Sequence, residues 1–310
     1  MYSDRLTVGI VGNGFVGNAI YQNVRDEVET KVYDIDPLRS LNTFEETTKQ
    51  SIVFVCLPTP MKMDGTCDLT YLDEFFSKLD PYQSLEALDN DAYDDPLYVI
   101  KSTVPVGTTE KYAELGHTVC HNPEFLTARN AVKDFRNAPR TIIGARQHYS
   151  SKLGTFYNYY FSNTQCHFMT SNESETVKYF SNVFLAYKVA YFNKMYDFCE
   201  KHKLDYEDVR RGVVADPRIG ESHSEVPGVD NDRGFGGTCF PKDLNALIAQ
   251  FDEVGLNSKM FKEIWKYNEK IRTKIDYYLT TPGGTNTHAA LHEALAWNRG
   301  DVFFLITDGY

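Results

Sequence analysis

The chain has 310 residues, a formal charge of −11 and 42% hydrophobic residues, enough for two domains with real cores. The acidic balance argues against a nucleic-acid partner, which needs a basic stripe, and no apolar run is long enough to make a membrane partner of the bilayer. The first twenty residues hold no signal-peptide core. The six cysteines (56, 67, 120, 166, 199 and 239) show neither a C-x-x-C pair nor metal-ligand spacing, so free thiols in the cytoplasm and no metal are expected.

Leu6 to Val11 reads as a buried strand. Gly12-Asn13-Gly14-Phe15-Val16-Gly17 follows it, and a helical run begins near Asn18. A G-x-G-x-x-G between strand and helix is a dinucleotide signature. Gly12 makes the turn, Gly14 admits the pyrophosphate to the helix N-terminus, and Gly17 lets helix pack on strand. Lys31-Val32-Tyr33-Asp34 is a second short strand, and its acid stands 17 residues after Gly17. A carboxylate there bonds a ribose hydroxyl and repels a 2′-phosphate, so the expected cofactor is NAD.

Ser51 to Leu57 is a continuous apolar run, as a strand buried on both faces should be, and it ends in Pro58-Thr59-Pro60. Asp68 to Leu79 reads as a helix and the acidic stretch 85–96 as a surface excursion. Leu97 to Lys101 is a further strand, ending in Ser102-Thr103-Val104-Pro105-Val106-Gly107. Val119-Cys120 leads into His121-Asn122-Pro123-Glu124-Phe125-Leu126, and Thr141 to Gly144 reads as the last strand. This alternation predicts an α/β fold with a Rossmann-type, doubly wound parallel sheet over residues 1–170.

Ser171-Asn172-Glu173-Ser174-Glu175 looks like a capped start. From Glu175 to about Lys203 there is no Gly or Pro, and apolar residues recur with a helical period. A helix so long and aromatic suits a helical domain, 171–280, and a homodimer interface. Lys178 and Asn182 share a face. Beside aromatics they could hold an oxyanion, although an exposed Lys/Asn pair is the plainer reading.

Gly234-Phe-Gly-Gly-Thr-Cys239-Phe-Pro-Lys-Asp243 then places three glycines ahead of a cysteine. Such a run suits a loop whose backbone lies close to a ligand. Pro241 and the run Leu244 to Ile248 put Cys239 at a helix N-terminus, where the dipole and Lys242 favour a thiolate. Asp243 falls one turn on. A buried structural cysteine after a turn is the alternative.

Taken in order, these blocks, with Arg218-Ile219-Gly220, resemble the UDP-glucose/GDP-mannose dehydrogenase family over residues 5 to about 275. The resemblance implies oxidation of a nucleotide sugar's primary alcohol to a carboxylate in two NAD-dependent steps, through a Cys239 thiohemiacetal and thioester. It implies that Lys178 and Asn182 stabilise the oxyanion, and that Asp243, Thr103 and Glu124 order water and move protons. It implies contacts of Asp34, Arg39, Thr59 and Thr103 with NAD. Glu124, Phe125, Leu126, Lys178 and Asn182 would meet the substrate, with Arg218 reaching it across a dimer. Gly228, Asp232 and Gly236 would line its phosphates.

Two departures stand out. Ala128 occupies the place of a second family glutamate. The family continues into another α/β domain, whereas residues 281–310 do not look like one; a recombined or truncated C-terminus is expected, and its faint likeness to pieces of a von Willebrand A domain lacks that fold's main metal loop. Two other readings compete: a 3-hydroxyacid dehydrogenase of like architecture, which needs no nucleophilic cysteine, and a non-catalytic NAD-binding remnant.

Overall fold

A computed structural model describes residues 6–79, 96–127 and 129–273. Most of the acidic stretch 85–96, Ala128 and the segment 281–310 lie outside the described residues. The described chain divides into two units, one of residues 6–59, 69–79, 96–127 and 129–178, the other of residues 60–68 and 179–273.

The first unit alternates strands and helices: β1 (Val8–Val11), α1 (Phe15–Val24), β2 (Thr30–Tyr33), α2 (Phe44–Thr48), β3 (Ile52–Val55), α3 (Thr70–Ser77), β4 (Leu97–Ile100), α4 (Thr108–Glu114), β5 (Val119–His121), α5 (Ala131–Arg136), β6 (Arg140–Gly144), α6 (Gln147–Tyr160) and β7 (Gln165–Met169). The sheet order is β2-β1-β3-β4-β5-β6-β7. β1 lies parallel to β3 with Val8 opposite Ile52 and Val11 opposite Val55. Every residue of β1, β3 and β4 is buried, which is why these strands carry apolar side chains on both faces. Ile52 and Phe54 join Ile10, Ile20 and Phe156 in one core, while Val53 and Val55 join Leu72, Phe75 and Tyr112 in another. Full burial of one side chain such as Phe54 contributes about 2–3 kcal/mol.

The last part of the sheet departs from the sequence reading. Gly144 does not end it: α6 and a seventh strand, β7, follow, and β7 pairs parallel with β6. β6 itself runs antiparallel to β5, touching it at His121 opposite Gly144. It begins beyond the carboxyl end of β5 and runs back. α5 has six residues, or about 9 Å of helix, and does not return the chain to the amino edge.

The long helix is α7 (Ser171–His202), whose residues up to Lys178 belong to the first unit and the rest to the second. Its cap is Thr170, one residue before the expected start: Glu173 accepts the Thr170 N–H and hydroxyl, and Thr170 Oγ1 accepts the Glu173 N–H. In the second unit Tyr179, Val183, Ala186 and Ala190 form a buried stripe. Phe180, Phe184, Tyr187 and Tyr191, one position further round, are 44–63% exposed. Among the described residues three helices follow: α8 (Tyr206–Val214), α9 (Phe240–Glu253) and α10 (Lys259–Ile271). Leu244, Leu247 and Ile248 form the apolar face of α9, and Phe251 meets Phe261 of α10 edge to face at 5.0 Å. Among the described residues no helix is long and apolar enough to cross a membrane.

Candidate active site

The dinucleotide loop closes the turn between β1 and α1. A Cβ on Gly17 would lie 1.9 Å from the Gly12 carbonyl oxygen, so only glycine lets α1 start this close to β1. A Cβ on Gly14 would meet nothing within 4 Å. Gly14 caps α1, and the open space beside it lies where the helix presents its first N–H groups. Asp34, at the end of β2, accepts the Asn13 N–H at 2.6 Å and the Asp36 N–H at 2.9 Å. These bonds aim its carboxylate at the loop. Asn13 Nδ2 donates to the Arg39 carbonyl at 2.8 Å, while Asn13 Oδ1 is buried with no hydrogen-bond partner among the described residues. An acid at the strand end, an open approach at Gly14 and an unmatched acceptor fit an adenosine diphosphate with free ribose hydroxyls. Phe15 is exposed, and Val16 packs on the core.

The loops after β3, β4 and β5 are tied together at the carboxyl end of the sheet. Thr59 Oγ1 donates to the Thr103 carbonyl at 2.8 Å. Lys101 Nζ donates to Asn122 Oδ1 at 2.8 Å, and Asn122 Nδ2 donates to Thr141 Oγ1 and the Ile142 carbonyl. Burial holds the Lys101 ammonium down at about 8, although Glu124 nearby pulls the other way. His121 Nε2 faces the Ser102 carbonyl, which can only accept; Nε2 therefore carries the proton and Nδ1 accepts from Ser174 Oγ at 2.8 Å. Burial, with Lys101 and Lys178 adding to it, pushes His121 down to about 3. Glu175 accepts the Gly107 N–H at 2.7 Å and the Thr109 N–H at 2.8 Å, capping α4. Burial nevertheless lifts Glu175 to about 7.

Lys101, His121, Asn122 and Glu175 were not singled out from the sequence as site residues. All four stood inside the motif blocks; Lys101 and His121 directly follow apolar strand runs, which is a signal, whereas Glu175 lies in a polar stretch that gives none. Lys178 is 3% exposed and donates to both the Glu124 carbonyl and, at 3.2 Å, Glu124 Oε1. Glu124 Oε2 accepts the Leu126 N–H, and the Phe125 ring centroid is 5.0 Å from the Lys178 ammonium and 4.9 Å from the Arg140 guanidinium. Lys178 and Asn182 are both buried, so the exposed-pair reading does not hold.

In the second unit Cys239 caps α9, half-buried, with Thr238 Oγ1 3.5 Å from its sulfur. Pro241 and Lys242 stand in the first turn. Asp243 is fully buried: Oδ1 lies 2.5 Å from Lys242 Nζ, and Oδ2 accepts from Asn182 Nδ2 at 2.6 Å. Burial pulls the Lys242 ammonium down, but Asp243, Cys67 and Cys239 outweigh it, and the net shift is upward. A firmly charged lysine and a helix N-terminus therefore share the turn that carries the thiol. Desolvation instead lifts the thiols of Cys56 and Cys120 to about 12. Cys239 has the setting of a reactive cysteine; those two do not.

Arg218 is strongly exposed, and its polar partner among the described residues is Asp216. Lys188 of α7 donates to the carbonyls of Ile219 and Gly220 beside it. The Gly228 N–H, at a position the family resemblance puts beside the substrate phosphates, is taken by the Asp232 carbonyl at 2.9 Å. The Asp232 carboxylate accepts from Thr273 and Arg233.

These features have close counterparts. Residues 18–160 match the NAD binding domain of the UDP-glucose/GDP-mannose dehydrogenase family, and residues 172–270 match its central domain. The chain belongs to that family. The UDP-glucose 6-dehydrogenase of Rickettsia typhi is 32% identical over 259 residues, covering 81% of this chain and 56% of the relative. The enzyme of that name from Campylobacter jejuni is 30% identical over 295 residues, covering 87% and 73%. The chain thus spans about half the length of curated relatives such as the first. The structure of a UDP-glucose dehydrogenase from Pyrobaculum islandicum superposes with a TM-score of 0.72 at 25% identity, over 86% of this chain and 69% of that one. A 3-hydroxyisobutyrate dehydrogenase from Mycobacterium tuberculosis, at 15% identity and a TM-score of 0.64 over 86% of this chain and 93% of its own, shares the fold alone.

Proposed function

We propose that this chain carries the NAD-binding and catalytic residues of a nucleotide-sugar dehydrogenase that converts UDP-glucose to UDP-glucuronate. The observation that carries the reading is the turn at the start of α9: a half-buried thiol, a charged lysine, and a buried carboxylate joined to an asparagine of α7. Gly12 to Gly17 and Asp34 would hold NAD, which would supply the hydride acceptor for each of the two oxidations, alcohol to aldehyde and thiohemiacetal to thioester.

Between those oxidations Cys239 does the covalent work. Its thiolate adds to the C6 aldehyde; an S–C bond forms and the carbonyl becomes an oxyanion, stabilised by Lys178 and Asn182. Loss of hydride from that carbon leaves a thioester. Water then attacks, the C–S bond breaks, and the sulfur departs as thiolate with carboxylate as product. Asp243, with Glu124 and Thr103, orders the water and takes its proton. The covalent link explains why free aldehyde need not escape.

The exposed aromatic stripe of α7 supports a homodimer, in which the exposed Arg218 reaches the partner's substrate. UDP-glucose is favoured over other nucleotide sugars by the names of the relatives from Rickettsia typhi and Campylobacter jejuni. The test is NADH production from UDP-glucose by the 310-residue chain and its Cys239→Ser variant. Two NADH per sugar from the wild type and no carboxylate from the variant are expected; full turnover by the variant would remove the thiol from the chemistry and favour a hydroxyacid-type enzyme.

A further inference from the structure

Two buried asparagines take no part in the chemistry above. Asn268 of α10 is 1% exposed and Asn193 of α7 is 2% exposed. Asn268 Oδ1 accepts the Phe235 N–H at 2.7 Å, and its Nδ2 donates to the carbonyl of the same residue at 2.9 Å. Asn193 Oδ1 accepts the preceding amide, that of Gly234, at 3.2 Å, while its Nδ2 is anchored on the Val189 carbonyl. One turn beyond Asn268, Arg272 donates to the Arg233 carbonyl at 3.3 Å. A Cβ on Gly236 would lie 2.0 Å from the Arg272 guanidinium. Side chains from two helices thus grip the backbone of residues 233–236 just before Cys239.

The loop needs such a grip. Gly234 and Gly237 have φ of +70° and +74°, a region that glycine enters freely and leaves as freely, and glycine offers no side chain to hold. Packing between α9 and α10 is already supplied by Phe251 and Phe261. Buried amides that match one backbone conformation select that conformation, which apolar packing does not.

We propose that Asn268, seconded by Asn193, is a positioning residue for Cys239: its two bonds to Phe235 fix the glycine loop so that the thiol stays at the N-terminus of α9 beside Lys242. The proposal rests on reading Cys239 as the reacting thiol.

The full chain is compared with N268A and N268D by three measurements. Hydrogen exchange of the 233–239 peptide should quicken about tenfold in N268A, with peptides of β1 and β3 unchanged. Alkylation of Cys239 by iodoacetamide at neutral pH should slow about fivefold as the thiol leaves the helix N-terminus. With UDP-glucose, kcat should fall about tenfold at a nearly constant KM. N268D keeps the acceptor for the Phe235 N–H and should lie between the two. Should N268A not fold, N193A takes its place, and the wild-type exchange of the Gly234 and Phe235 amides must be slow. Unchanged alkylation and kcat in a variant whose loop exchanges faster would reduce the asparagines to structural parts and overturn the proposal. A wild type that makes no NADH would sink the dehydrogenase reading instead, with the exchange and alkylation results still deciding this one.

Discussion

Asn182 Nδ2 lies 2.6 Å from Asp243 Oδ2, and both side chains are buried. The amide of α7 and the acid of α9 are therefore one unit: the acid fixes the amide's orientation, and the amide leaves Asp243 without an unmatched oxygen. Asn182→Ala removes the proposed oxyanion donor and strands part of a buried carboxylate. Steady-state kinetics should show kcat falling by about 10²–10³-fold. Thermal or urea unfolding should show a loss of about 1–3 kcal/mol. A variant with lowered stability and intact kcat would leave Asn182 a purely structural partner of Asp243.

The two glycines of the cofactor loop should separate folding from binding. Gly14→Ala introduces a Cβ into open space at an ordinary φ of −75°, so the fold should keep its stability to within about 0.5 kcal/mol. NAD affinity should fall by about tenfold or more, ~1.4 kcal/mol, because the pyrophosphate can no longer approach. Gly17→Ala drives a Cβ onto the Gly12 carbonyl oxygen and should destabilise the chain by about 1–3 kcal/mol. Melting temperature and NAD titration on the two variants check this; equal NAD affinity in Gly14→Ala and wild type would contradict the loop's assignment.

Much of this was legible in the sequence, and the reason is local. The G-x-G-x-x-G loop, the apolar runs of β1 and β3 and the placement of Cys239 before Pro241 all depend on neighbours within a turn or a strand. What was not legible depends on distant pairing. β7 reads Gln-Cys-His-Phe-Met, with neither an apolar run nor clean alternation, because among the described residues it is a half-covered edge strand paired with β6 alone. The reversal of β6 is set by where the chain re-enters the sheet. Burial of Lys101 and His121 is possible because Asn122 and Ser174, 21 and 53 residues away, supply matching atoms. No local pattern announces such a partner.

His121 sets a pH dependence with a definite sign. Its folded-state value of about 3 lies below the ordinary 6.5, so the unfolded chain takes up the proton first. Its contribution is full above pH 6.5 and is lost as pH falls toward 3. Glu175 acts oppositely: held at about 7 against 4.5, it contributes fully below pH 4.5 and loses that contribution as pH rises through 7. Between about pH 6.5 and 4.5 the two slopes are opposite and nearly cancel; below about pH 4.5, where Glu175 has stopped changing, His121 alone favours unfolding as pH falls toward 3. In His121→Gln the melting temperature should start lower at pH 7.5 and fall less steeply on acidification. Parallel profiles for the two proteins would show that the His121 ring is not held neutral.

The most direct measurement concerns the thiol itself. The Asp243→Asn variant is mixed with UDP-glucose and NAD, quenched in acid, digested and read by mass spectrometry. The expected result is an oxidised sugar nucleotide attached to the peptide carrying Cys239, accumulating because the water that releases it is no longer activated. NADH formation with that peptide always unmodified would contradict covalent catalysis at Cys239.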